Sequence, residues 1–244
     1  MDLGLTGRRA VVTGGSRGIG KAVAAALAAE GCDVGLVARD ADALAATAAE
    51  LAAGSGRRVV ALPADTGDDA SVAAMAERAV AALGGPVEIL VNAAARPNIG
   101  APLRDEDLLS EVNVKVAGYL RCVRAFAPGM AEGGWGRIVN IAGLAARSSG
   151  TVVGSVRNVA VAAMTKNLAD ELGPAGINVT VVHPGLTRTE RTAPDADESG
   201  SVIGRMVTAA EVADVVAFLS SPRSVAVTGD AIAAGGGVPG PIFY

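Results

Sequence analysis

Short apolar runs alternate along the chain with longer amphipathic, Ala-rich stretches. The short runs predict strands at RAVVTG, DVGLVA, RVVALPA, VEILVN, GRIVNIA, INVTVVHPG and DAIAAGGG. The longer stretches predict helices over 18–30, 41–53, 68–83, 108–130, 154–172 and 208–219. The third of these opens with acidic residues, as the helix dipole favours, and the fifth is stopped by Gly173-Pro174. Strands that are apolar throughout and separated by helices predict a parallel sheet covered on both faces. Seven strands in this order predict an α/β, doubly wound, single domain over 1–244 with right-handed crossovers. The polar stretch TRTERTAPDADESGSVIG at 187–204 is the one long loop expected, and it leaves the C-terminal edge of a strand, where such folds place ligands.

Composition adds limits. Half of the 244 residues are apolar, 19% are charged and 2% aromatic, so the expected core is large and built of small aliphatics. A net charge of −4 without a Lys/Arg run gives no footprint for nucleic acid. No window resembles a membrane span, and MDLGLTGRRAVVTGG is too poor in apolar residues for a signal peptide, so no membrane association is expected. Cys32 and Cys122 are far apart and form no CxxC pair, which suits reduced thiols in the cytoplasm. No metal is expected.

VVTGGSRGIG places Gly14, Gly18 and Gly20 after the first strand and at the mouth of the first helix, with Ser16, Arg17 and Ile19 between them. Glycines let the backbone approach a pyrophosphate, and a helix N-terminus offers it free N–H groups. TGxxxGxG at 13–20, ILVNAAA, GRIVNIAG, HPGLTRT and VTGDAIAAGGG together resemble the classical short-chain dehydrogenase/reductase family, and the 3-oxoacyl-carrier-protein reductases most. The resemblance spans nearly the whole chain. It implies a Rossmann-type fold and a nicotinamide cofactor. It also implies that Asp65, Thr66, Asn92, Ala93 and Ala94 line the adenosine half, and that Pro184, Gly185, Leu186 and Thr189 hold the nicotinamide. At the end of the second strand, where an acidic residue holds an unphosphorylated ribose, stand Ala38 and Arg39. Arg39, Arg17 and Ser16 suit a 2′-phosphate, so NADP(H) is the expected cofactor; the other reading of Arg39 is a solvated helix start.

The family's Ser, Tyr and Lys are missing. Alignment on GRIVNIAG puts Gly143 at the Ser position and Val156 and Ala160 at the Tyr and Lys positions. Alignment on MTKNLADEL instead puts Gly154 and Asn158 there. Tyr119, Tyr244, Lys115 and Lys166 lie elsewhere in the sequence. Asn113, in EVNVKVAGYL, matches the family's fourth catalytic residue, but without the lysine it reads as a kink or packing residue. His183 reads as a turn residue. Ala93 breaks the family's NNAG, which predicts a sheet less firmly tied near the site. The leading expectation is a catalytically incomplete subunit in a homo- or hetero-oligomer, dimer or tetramer, paired with a complete short-chain reductase of a carrier-protein-linked or secondary-metabolite pathway. The alternatives are an atypical NADP-dependent oxidoreductase, lyase or isomerase with another proton donor, and an NADP(H)-sensing module.

Overall fold

A computed structural model of the chain describes residues 1–95, 104–193, 195–196 and 201–237. Its strands are β1 (Arg9–Thr13), β2 (Asp33–Ala38), β3 (Val59–Pro63), β4 (Ile89–Asn92), β5 (Gly136–Ile141), β6 (Ile177–Pro184), β7 (Thr187–Arg188), β8 (Val207–Thr208) and β9 (Ala231–Ala234). Its helices are α1 (Gly18–Ala29), α2 (Ala41–Ser55), α3 (Asp69–Leu83), α4 (Asp105–Glu111), α5 (Gly118–Glu132), α6 (Val152–Leu172) and α7 (Ala209–Leu219). Seven strands form one parallel sheet in the order β3-β2-β1-β4-β5-β6-β9. The order reverses at β1, whose neighbours are β2 and β4. A crevice opens there beyond the strand ends, which is where a doubly wound Rossmann-type sheet receives its ligand.

The continuous apolar strands reflect burial on both faces. Val12, Leu36 and Val91 point to one side and pack with Leu27, Leu44 and Val216 of α1, α2 and α7. Val11, Leu90 and Ile138 point to the other, against Met75, Phe126 and Leu168 of α3, α5 and α6. Successive residues of a strand alternate faces, so Val11 and Val12 enter different cores.

Three details depart from the sequence expectation. The helix expected over 108–130 starts at Asp105 and is interrupted by a π-helical turn at Val112–Ala117 before α5 continues. The helix expected from Gly154 starts at Val152, because the Thr151 hydroxyl accepts from Gly154 N at 3.1 Å and caps it. A two-residue parallel pair, β7 with β8, ties the two ends of the polar segment that begins at 187.

The sheet near the site is also firmly tied. Asn92 Nδ2 donates to Asn140 Oδ1 at 3.0 Å, and Asn140 Nδ2 to Thr165 Oγ1 at 3.0 Å. The Thr13 hydroxyl accepts from the amides of Ala93 and Ala94 at 3.0 and 3.2 Å. These bonds join β1, β4, β5 and α6 without a polar side chain at 93. All three amide and hydroxyl residues of the Asn92–Asn140–Thr165 chain are fully buried. Asn140→Ala should therefore destabilise the protein by about 1–3 kcal/mol, since it strands two partners in the core. Denaturant unfolding measures this, and a change under about 0.5 kcal/mol, within the range of ordinary surface substitutions, would count against the bridge.

Candidate active site

The glycine turn is the tightest element of the crevice. Gly14 adopts a φ of +70°, and a Cβ on Gly20 would lie 2.2 Å from Gly14 O. Only glycine allows α1 to start this close to the end of β1. The turn already holds an anionic group: Gly18 N donates to Glu190 Oε1 at 2.9 Å. A backbone N–H at a helix N-terminus is suited to an anion, and the carboxylate of the segment after β7 takes that place.

From the turn a cavity of about 1060 Å³ runs across the C-terminal ends of the sheet. Gly14, Ser16, Arg17, Gly18, Ile19 and Gly20 line its start. Arg39, Asp65 and Thr66 line one wall, with Ala93 and Ala94 beside them. Pro184, Gly185, Leu186 and Thr189 line the far end. Arg17 and Arg39 are exposed and Ala38 carries no charge, so this wall offers cations where an acidic residue would exclude a phosphate. The room, the anion-seating amide and the two guanidiniums fit a phosphorylated dinucleotide.

Two expected site residues lie outside the cavity. Asn92 is wholly buried in the sheet bridge, and only its neighbours Ala93 and Ala94 reach the cavity. Asn113 is exposed; its Nδ2 donates to Gly67 O at 3.1 Å and its Oδ1 accepts from Arg121 at 3.0 Å. Residues two apart on a helix point to nearly opposite sides, and the one that faces the cavity is Lys115.

On α6, Gly154, Arg157 and Asn158 face the cavity together with the cap residue Thr151. Val156 is exposed and Ala160 does not line the cavity. Gly143 forms the floor at the end of β5, and a Cβ there would lie 3.0 Å from Asn158 Nδ2. The other groups considered in the sequence are engaged elsewhere. Tyr119 is buried, its hydroxyl donates to Ile141 O at 3.0 Å, and burial holds the phenol well above its ordinary pKa. His183 is buried with Nδ1 3.0 Å from Gly143 O, and burial together with Arg147 pushes it down to about 4. Lys166 pairs with Asp170 at the surface at 2.5 Å. Tyr244 lies outside the described residues.

What the sequence reading missed is a buried charge cluster. Lys115 is 4% exposed and its Nζ donates to Ala142 O at 2.9 Å. Glu111, on the preceding turn, is ion-paired to Arg157 of α6. Burial, with Arg157 adding to it and Glu111 opposing it, pushes the Lys115 ammonium down to about 7. No helical period in the sequence singles out these three charges, because Asp107 on α4 and Asn158 and Thr165 on α6 are buried polar residues too.

A glycine-rich strand–turn–helix, a cavity at the point where strand order reverses and the two guanidiniums of Arg17 and Arg39 on its lining define a dinucleotide-binding α/β protein. The chain belongs to the short chain dehydrogenase family, whose model matches residues 8–200. It is 34% identical over 249 residues to the short-chain reductase protein NovJ of Streptomyces niveus, covering 94% of this chain and 93% of that protein. It is 35% identical over 244 residues to the (2S)-[(R)-hydroxy(phenyl)methyl]succinyl-CoA dehydrogenase subunit BbsD of Thauera aromatica, covering 96% and 98%. Among solved structures it resembles a short chain dehydrogenase from Burkholderia cenocepacia in complex with NADP, at 35% identity and a TM-score of 0.88, covering 96% of this chain and 98% of that one.

The depressed lysine makes a stability prediction. The folded state disfavours the ammonium and the unfolded chain does not, so Lys115 costs stability in full below about pH 7, and the cost fades toward the free-lysine value of about 10.4. The stability difference between Lys115→Met and wild type should be level below pH 7, then shift in favour of wild type by about 1.4 kcal/mol per pH unit above it. Paired unfolding curves on either side of neutrality check this, and a difference that stays level into the alkaline range would mean the ammonium is not depressed.

Proposed function

We propose that the chain binds NADP(H) in this cavity and works beside a complete reductase of the same family, with little ketone turnover of its own. The observation that carries this is the reaction end of the cavity. Gly143, Gly154 and Asn158 stand there, and after Thr151 the α6 wall presents no hydroxyl. Of the two alignments open in the sequence, the one placing Gly154 and Asn158 at the family's Tyr and Lys positions fits this wall. The other places Val156 at the surface. Removing a general acid typically slows a reaction by about 10²- to 10⁴-fold.

NADP(H) is supported by Arg17 and Arg39 and by the absence of an acidic residue at position 38. The neighbour from Burkholderia cenocepacia was solved with NADP. When bound, the nicotinamide would supply or accept hydride; this chain's turn would seat the phosphates, and Pro184 to Thr189 would hold the reactive ring. Oligomerisation is supported by the outer face of α6, where Val152, Val156 and Val159 are exposed, and by Leu109, exposed on α4. An apolar patch of this kind marks an association surface. The similar protein BbsD is itself a subunit of a dehydrogenase. The buried free thiols of Cys32 and Cys122 suit a cytoplasmic setting. A second reading, an oxidoreductase with its own non-standard proton donor, is favoured by one observation, the buried Lys115 in the same cavity.

Fluorescence titration of the purified chain should give tighter binding of NADPH than of NADH, and Arg39→Ala should weaken NADPH at least tenfold while barely changing NADH, about 1.4 kcal/mol of selectivity. Equal effects on both cofactors would remove Arg39 from the phosphate site. Co-expression with a complete reductase from the same genome should yield a mixed oligomer more active than that reductase alone, and Val159→Glu should dissolve it. If the two never co-purify, the partner role is wrong.

A further inference from the structure

Two buried polar groups meet the cavity on either side of the Ala142–Gly143 peptide. From the π-helical turn, Lys115 Nζ donates to Ala142 O at 2.9 Å. From α6, Asn158 reaches the face of Gly143, and its Oδ1 is buried with no hydrogen-bond partner among the described residues. Neither glycine, 143 nor 154, puts a side chain into the space between.

The charges around this point are unequal. Glu111 is committed to Arg157, which leaves the Lys115 ammonium as the charge that no carboxylate contacts among the described residues. An ammonium has three N–H donors, and one of Lys115's is used by Ala142. A desolvated cation facing a cavity, with donors to spare, is arranged to receive an oxygen that gains negative charge. Tyr119 cannot compete, because it does not line the cavity and its hydroxyl is spent on Ile141 O.

We propose that Lys115 holds the substrate oxygen in this cavity and gives it its proton. A ketone oxygen accepts a hydrogen bond from Nζ. As hydride from NADPH forms the new C–H bond, the C=O π pair moves onto oxygen, which takes a proton from the ammonium. The products are an alcohol, NADP⁺ and a neutral lysine amine, which regains its proton from water. This rests on the cofactor reading above and deepens it, naming the group behind the chain's own slow turnover. Asn158 Oδ1 is placed to accept from a hydroxyl of the ligand or of the cofactor ribose. Groups acting on the Lys115 charge are Glu111 from its own helix, Arg157 from α6 and His183 from β6; the depressed His183 is neutral in the working range. Lys115, pushed down to about 7, can lose its proton near neutrality.

The chain has three lysines, Lys21, Lys115 and Lys166, so ¹³C-lysine NMR of the full protein resolves each one. In free and NADP⁺-loaded protein, one signal should titrate near 7 and disappear in K115M. With the N-acetylcysteamine thioester of 3-oxobutanoate and NADPH, wild-type kcat should be low and should fall further as pH rises through 7. K115M should lower kcat at least tenfold with NADPH affinity within about threefold of wild type. K115R keeps the charge without a labile proton, so it should keep KM and lose kcat. A Lys115 signal that titrates above about 9, K115M turnover equal to wild type, or K115R with full kcat overturns the proposal. NADPH titration of the same samples separates the failures. Wild type that does not bind NADPH overturns the cofactor reading and this step with it. Binding without any Lys115-dependent turnover overturns this step alone.

Discussion

The distance between the start of α1 and the end of β1 is the constraint on which the rest of the crevice depends. With a glycine at 20, the backbone of the first helical turn comes so close to Gly14 O that a single carbon would fall 2.2 Å from it. That contact aims the α1 amides across the sheet edge where strand order reverses. The opposite wall is then set by β4 and β5, held to β1 and α6 through Thr13, Asn92, Asn140 and Thr165. A buried polar chain of this kind is costly unless every member is placed, so it fixes position as much as it stabilises.

On this frame two elements bring buried charge to the cavity. The helix α6 presents Gly154, Arg157 and Asn158 to it. A second cation, Lys115, comes from the π-helical turn between α4 and α5. A π-helical turn adds one residue to the local winding and is often found at functional sites. Here it turns Lys115 inward to the carbonyl of Ala142, while Asn113 faces the surface. Gly143, Gly154 and the Lys115 side chain line the same cavity.

The fold was legible because parallel strands buried on both faces are written as unbroken apolar runs. The five inner strands of the main sheet were readable for that reason, the edge strands β3 and β9 being only partly buried, and the Rossmann-type architecture followed from the alternation of strands with helices. The glycine turn was legible because its backbone geometry admits no other residue type. The β7–β8 pair was not, since two residues cannot display a period. Nor was the inward turn of Lys115, because a 3.6-residue pattern does not reveal one extra residue in the winding. The same gap hid Lys115 in an apolar run. Asn92 was placed correctly in the strand, but its neighbour Asn140 decided what it bonds to, and that pairing exists only in three dimensions.

The bond from Gly18 to Glu190 has a thermodynamic meaning of its own. A phosphate arriving at the turn does not meet an empty amide but a resident carboxylate, so the encounter is an exchange of one anion for another. The measured affinity is then the intrinsic affinity reduced by the fraction of molecules in which the carboxylate has let go. Glu190 sits just beyond β7, so occupancy of the turn and the position of this carboxylate are linked, and by reciprocity whatever holds Glu190 on Gly18 also sets how readily the turn is filled.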